Sequence, residues 1–172
     1  VFYIAGSSEL NGIVTGVNAE EEARLFNFDD YLIDGVPSSL TNNLNGIFLG
    51  IGVAEKLSLK VGDRIQISSP KGDLIPLKIV GFYQSGLSEV DNIQSYVNLK
   101  TAQRILGENK NYITDINIKL HDMEDAVPLS KIYSKQFNLT ATDIKTANAQ
   151  FDTGSSIRNL ISYAVSITLL IV

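Results

Sequence analysis

The sequence contains no cysteine at all. Disulfides, thiolate metal sites and thiol nucleophiles are excluded at once. It contains one histidine, His121, beside Asp122. With no second histidine or cysteine to share a zinc ion, a surface or capping role is its better reading. Clusters of basic residues are also missing. Fourteen Lys and Arg stand against nineteen Asp and Glu, for a net charge of −5. That balance speaks against a nucleic-acid partner, which needs a basic face. No Walker A sequence occurs, so the chain itself has no means of hydrolysing ATP. Val1-Phe2-Tyr3 carries no basic leader region, and the expectation is a fragment that begins within a longer chain. Neither a repeat nor a low-complexity linker is visible.

What the chain does have is a globular composition. Of 172 residues 44% are hydrophobic and 19% charged, enough for one domain or two small lobes. The end is different. Residues 160–172 read LISYAVSITLLIV, without a charge and without a polar helical face. A membrane span needs about 20 apolar residues. The run is still apolar where the sequence stops, and residues 157–172 are therefore expected to begin a transmembrane helix. The competing reading is a buried core helix.

Several fragments look like chemistry and fail on inspection. Gly50-Ile-Gly52 resembles the start of a dinucleotide loop, but Glu55 stands in the third glycine's place. Ser68-Ser-Pro-Lys71 has S-x-x-K spacing without its companion motifs, and on a turn rather than a helix. The acidic run after His121 lacks the central glycine and distal glutamate of a calcium loop. Asn138-Leu-Thr140 is a formal glycosylation sequon, relevant only in a eukaryotic secretory lumen. No catalytic, cofactor or metal residue is assigned, and the chain is read as not an enzyme.

The pattern of elements is α+β. Strands are expected at residues 2–5, 12–17, 46–49, 64–68, 75–84, 94–99, 112–120 and 139–144. A short helix is expected to open at 18–22, and others at 53–59, 100–106 and 124–137, with another starting at 146. Asn18 can cap the first, and Glu20, Glu21 and Glu22 suit the positive end of its dipole. Gly107 can end the third. The runs at 64–68 and 75–84 alternate apolar and polar residues around Ser69-Pro-Lys-Gly-Asp, which reads as a β-hairpin. Gly81 and Gly86 look like bulge or turn positions.

Four stretches carry a resemblance. The first is Ile47-Phe-Leu-Gly-Ile-Gly-Val-Ala-Glu-Lys-Leu-Ser-Leu-Lys-Val-Gly-Asp-Arg-Ile. The others are Leu77-Lys-Ile-Val-Gly-Phe-Tyr-Gln-Ser-Gly-Leu-Ser-Glu-Val-Asp, Tyr96-Val-Asn-Leu-Lys-Thr-Ala-Gln-Arg-Ile-Leu and Val14-Thr-Gly-Val-Asn-Ala-Glu-Glu-Glu. In this order, with the apolar tail, they resemble the MacB-like periplasmic core domain of ABC-transporter permeases, closest to the lipoprotein-releasing LolC/LolE type. Read physically, the motif residues are scaffold. Gly62 suits a left-handed turn, and Asp63 can bond backbone N–H groups.

The resemblance implies a two-lobed α+β fold over residues 1–156, a Porter-like α/β lobe with a strand-rich Sabre-like lobe inserted at roughly 44–98. It implies a domain on the periplasmic side of the cytoplasmic membrane, a partner ATPase in the cytoplasm and a second permease copy or homologue. A lipoprotein or a soluble extracytoplasmic protein is a further partner. The alternatives are a MacB-like efflux permease, an FtsX-like regulatory permease, or a soluble α+β binding module. The lipoprotein-releasing relatives grow a proline-rich hook where this chain has a short turn. Pro70, Lys71, Gly72, Asp73 and Leu74 are therefore the candidate partner-contact residues, with Leu74 as anchor. The family's first strand and helix are expected to precede Val1.

Overall fold

A computed structural model describes residues 1–149. The chain divides into two compact units, Val1–Asn117 and the residues from Ile118 onward. The helical tail expected at 157–172 lies outside the described residues.

The first unit is built on an eight-stranded mixed sheet. Its strands are β1 (Phe2–Ala5), β2 (Ser8–Asn11), β3 (Ile13–Val17), β4 (Leu32–Asp34), β5 (Gly46–Gly50), β6 (Arg64–Ser68), β7 (Leu74–Tyr83) and β8 (Gln94–Asn98). The order is β2-β1-β6-β7-β5-β8-β3, with β4 paired to β7 off this path. β5 runs parallel to β7, and β3 parallel to β8, while the remaining pairs are antiparallel. The sheet thus draws on the chain before residue 44 as well as on 44–98.

β5 is buried along its whole length, which is why it reads as an unbroken apolar run rather than an alternation. Ile47 and Leu49 enter one core cluster, with Ile65, Ile67, Leu77, Ile79 and Val97. Phe48, between them, enters another with Leu40, Phe28 and Tyr83. Period-two alternation sends these neighbours to opposite faces of the sheet. The helices α3 (Ile51–Leu57) and α5 (Leu99–Leu106) supply Val53, Ala54 and Ile105 to the first cluster. The helices α1 (Ala19–Phe26) and α2 (Pro37–Thr41), with a 3-10 turn at Phe28–Tyr31, cover the second.

Local chemistry follows the sequence closely here. Asn18 caps α1 by accepting from the Glu21 N–H. The Asp63 carboxylate accepts from the Lys60 N–H at 2.8 Å, and Gly62 has φ +97°. Between Ile47 and Phe48 the β5–β7 register slips, so that Phe48 faces Gly81. A Cβ on Gly81 would meet the Asp34 carbonyl oxygen at 2.2 Å, so the bulge requires glycine. A one-turn helix α4 (Ser88–Asp91) then follows the Gly86 turn.

In the second unit Asp122 caps a 3-10 turn, Met123–Asp125, that leads into α6 (Ala126–Phe137). Residues 144–149 are helical, opened by Asp143, which accepts from the Thr146 N–H and hydroxyl.

Two expected strands are absent. Residues 112–120 and 139–144 do not form strands, although the first alternates. Alternation describes side chains, whereas a strand also needs a neighbour's hydrogen-bond ladder. No described strand pairs with either segment. Ile113, Ile116 and Ile118 are accordingly 52%, 70% and 56% exposed. Leu99 belongs to α5 rather than to the end of β8, because Asn98 caps the helix through the Lys100 N–H.

Candidate functional site

The hairpin joining β6 to β7 forms as its alternation predicts, with Ile65 opposite Leu77 and Ser68 opposite Leu74. Its turn is built on Ser69, which is buried although its neighbours are not. The Ser69 N–H donates to the Asp73 carbonyl at 2.7 Å, and the Gly72 N–H to the Ser69 carbonyl at 3.0 Å. The Ser69 hydroxyl accepts from the Lys71 and Asp73 N–H groups at 3.2 and 3.1 Å. Gly72 takes φ +90° with open space around it. This is a self-satisfied turn, and it holds Pro70, Lys71, Gly72, Asp73 and Leu74 in solvent.

Lys71 reaches across to α5. Its ammonium donates to the Gly107 carbonyl at 3.3 Å, just past the helix C-terminus. A cation there complements the negative end of the helix dipole. Leu74, 51% exposed, lines a shallow groove of about 360 Å³ with Asn45, Ile75, Pro76 and Arg104. A second groove of about 390 Å³ shares Arg104 and adds Lys100, Gln103, Gly107, Glu108 and Lys110. Arg104 donates to the Asn45 side chain at 2.8 Å. The buried Gln103 amide donates to the Lys110 and Tyr112 carbonyls at 3.0 and 2.8 Å, which fixes the loop after α5.

The sequence shows no basic cluster, yet the fold assembles one: Lys71, Lys100, Arg104 and Lys110 surround these grooves. Only the spacing of Lys100 and Arg104, one helical turn apart, hinted at it.

The discarded motifs are accounted for by packing. A Cβ on Gly50 would meet the Asp91 carbonyl oxygen at 2.4 Å, and one on Gly52 the Asn92 side-chain oxygen at 2.3 Å. The space above the start of α3 is thus filled by protein. The Ser68 hydroxyl accepts from the Phe2 N–H while Lys71 faces Gly107, so S-x-x-K makes no catalytic pair. His121 is exposed. Among the described residues no three His, Asp or Glu side chains are grouped to hold a metal ion, and no helix is long and apolar enough to cross a membrane.

Fold and site together define an α+β scaffold domain whose glycines and acidic motif residues serve turns and packing. The chain belongs to the MacB-like periplasmic core domain family, whose profile matches residues 2–131. It is 26% identical over 137 residues to the lipoprotein-releasing system transmembrane protein LolC of Neisseria meningitidis serogroup B, covering 74% of this chain and 33% of that protein. It is 31% identical over 180 positions to LolC of Buchnera aphidicola subsp. Schizaphis graminum, covering 98% and 44%. The chain thus spans less than half the length of these relatives. The fold is similar to the periplasmic region of MacB from Actinobacillus actinomycetemcomitans, with a TM-score of 0.55 at 9% identity, over 88% of this chain and 71% of that one.

Proposed function

We propose that this chain is the extracytoplasmic domain of an ABC-transporter permease in the cytoplasmic membrane. A cytoplasmic ATPase subunit or domain hydrolyses ATP, and the paired extracytoplasmic domains of two permease copies or homologues move in response. This is a shift between two packed arrangements, biased from a distant nucleotide site. The cargo is lipophilic, with lipoprotein release the leading reading. The observation that supports it is the family match over 2–131 together with two relatives named as lipoprotein-releasing proteins. A MacB-like efflux role is the second reading. It is favoured by the short Ser69–Asp73 turn, which lacks the proline-rich hook of the lipoprotein-releasing type.

Depleting the full-length protein from its native cell and fractionating the membranes tests this. Lipoproteins retained in the cytoplasmic membrane support release, and an unchanged lipoprotein distribution overturns it. Residues 1–156 form the extracytoplasmic part on this reading, and 157–172 begin a membrane helix. Residues 1–172 contain no cysteine, so Ser166→Cys adds the one label site within them. Rapid labelling of that thiol in intact membranes by a membrane-impermeant maleimide would count against the helix.

A further inference from the structure

The paired grooves at the hairpin end are an uncommon surface for this chain. The protein carries net charge −5, yet Lys100, Arg104 and Lys110 line one groove along α5, with Lys71 bonded at the helix C-terminus and Glu108 as the one acidic lining residue. Among the described residues none of these four cations is ion-paired with a carboxylate. Next to them lies an apolar stretch, Leu74, Ile75 and Pro76, in a groove that shares Arg104. Leu44, just before Asn45, is exposed as well.

From this we infer that the hairpin end is a docking groove for an acidic, amphipathic segment of a partner protein. The inference rests on the reading of the Pro70–Leu74 tip as partner-facing, and it specifies that partner's chemistry. Carboxylates of the segment face Lys100, Arg104 and Lys110. One apolar side chain seats against Leu74, Ile75 and Pro76. The apolar strip beside the cations is three residues long, enough to seat one side chain. The acidic remainder of the domain repels such a segment, so encounter is steered to this end. Affinity comes from the seated apolar anchor, and orientation from the charges.

The test uses the full-length protein in detergent and a fluorescent synthetic peptide of glutamates around one leucine. Binding is expected to weaken with salt and to be lost when glutamine replaces each glutamate. Lys100 and Lys110 are exposed, and the double variant Lys100→Glu/Lys110→Glu should weaken binding roughly tenfold or more. Unfolding midpoints establish that the variant is folded. Leu74→Asp should weaken the peptide as well, while Glu108→Gln should not. Unchanged affinity in the double variant overturns the proposal. So does preference for phosphatidylglycerol vesicles over the peptide, which would make the surface a lipid contact. Transport by the Leu74→Asp protein is read separately, so loss of transport with intact peptide binding defeats the acidic-segment inference and leaves the partner-facing tip standing.

Discussion

Asp91 and Ser85 close a loop between them. The Asp91 carboxylate accepts from the Ser85 N–H at 2.6 Å and from its hydroxyl at 2.8 Å, and its second oxygen accepts from the Gly86 N–H at 3.1 Å. Asp91 is buried, so each of these bonds replaces water that cannot return. Asp91→Ala strands two backbone donors and should lower stability by about 3 kcal/mol. The reading is a urea midpoint that falls at constant slope. A midpoint within error of the parent would mean that the loop repacks and the carboxylate is dispensable.

Gly81 and Gly72 separate two reasons for glycine. At Gly81 a methyl would enter the Asp34 carbonyl oxygen and the Phe48 ring. Gly81→Ala should therefore cost about 2 kcal/mol or more, through overpacking. At Gly72 a methyl meets nothing, and only φ +90° opposes it. Gly72→Ala should cost about 1 kcal/mol. Equal costs in parallel unfolding curves would refute the distinction.

The hairpin was legible in the sequence because two independent signals agreed, alternation on either side and Pro-Lys-Gly-Asp between. The Asn18 cap and the Gly81 bulge were legible because each fits one backbone geometry. β2, Ser-Glu-Leu-Asn, was not, because an edge strand with a single half-buried residue has almost no pattern to show. Nor was α2, whose one buried residue is Leu40. At 112–120 alternation was present and pairing was not, so a sound signal produced a wrong strand. The tip residues were found as a turn. Their connection to α5 was hidden, because Lys71 and Gly107 are 36 residues apart and only the fold brings them together.

Tyr3 ties stability to pH. The phenol is fully buried and donates to the Ile13 and Ile93 carbonyls at 2.7 and 3.1 Å. Burial pushes its pKa well above the ordinary tyrosine value, and burial does the same to Tyr96. The unfolded chain therefore releases these protons first, above about pH 10, while the folded chain keeps them. Their contribution is fully present below that pH and is lost as pH rises toward the folded values. Stability followed by urea unfolding should fall above about pH 10 in step with tyrosinate absorbance. Tyr3→Phe should lower stability at neutral pH by about 1 kcal/mol, since the Ile13 carbonyl loses the phenol donor while the Ile93 carbonyl keeps the Ile13 N–H. It should also flatten part of the alkaline fall. An alkaline slope identical to the parent's would show that Tyr3 does not report this transition.

Leu74 offers the most direct test of the hairpin tip. It opens β7 opposite Ser68, half of its surface is in solvent, and it lines the groove beside Arg104. An exposed leucine on a hairpin is ordinary by itself. Here it lies at the end of a turn that satisfies its own backbone through Ser69, and so it is presented on a fixed frame. Leu74→Asp removes an apolar anchor and sets a negative charge among the cations. Because the side chain is outside both core clusters, stability should change by no more than about 0.5 kcal/mol. Transport in cells should fall severalfold at unchanged protein level if the tip meets cargo or partner, since a few anchors dominate such contacts. Pro70→Ala serves as the companion change, because it removes exposed surface from the same tip without adding charge. Full transport by both variants would place recognition on another surface of the domain and leave Ser69–Asp73 as an ordinary connection between two strands.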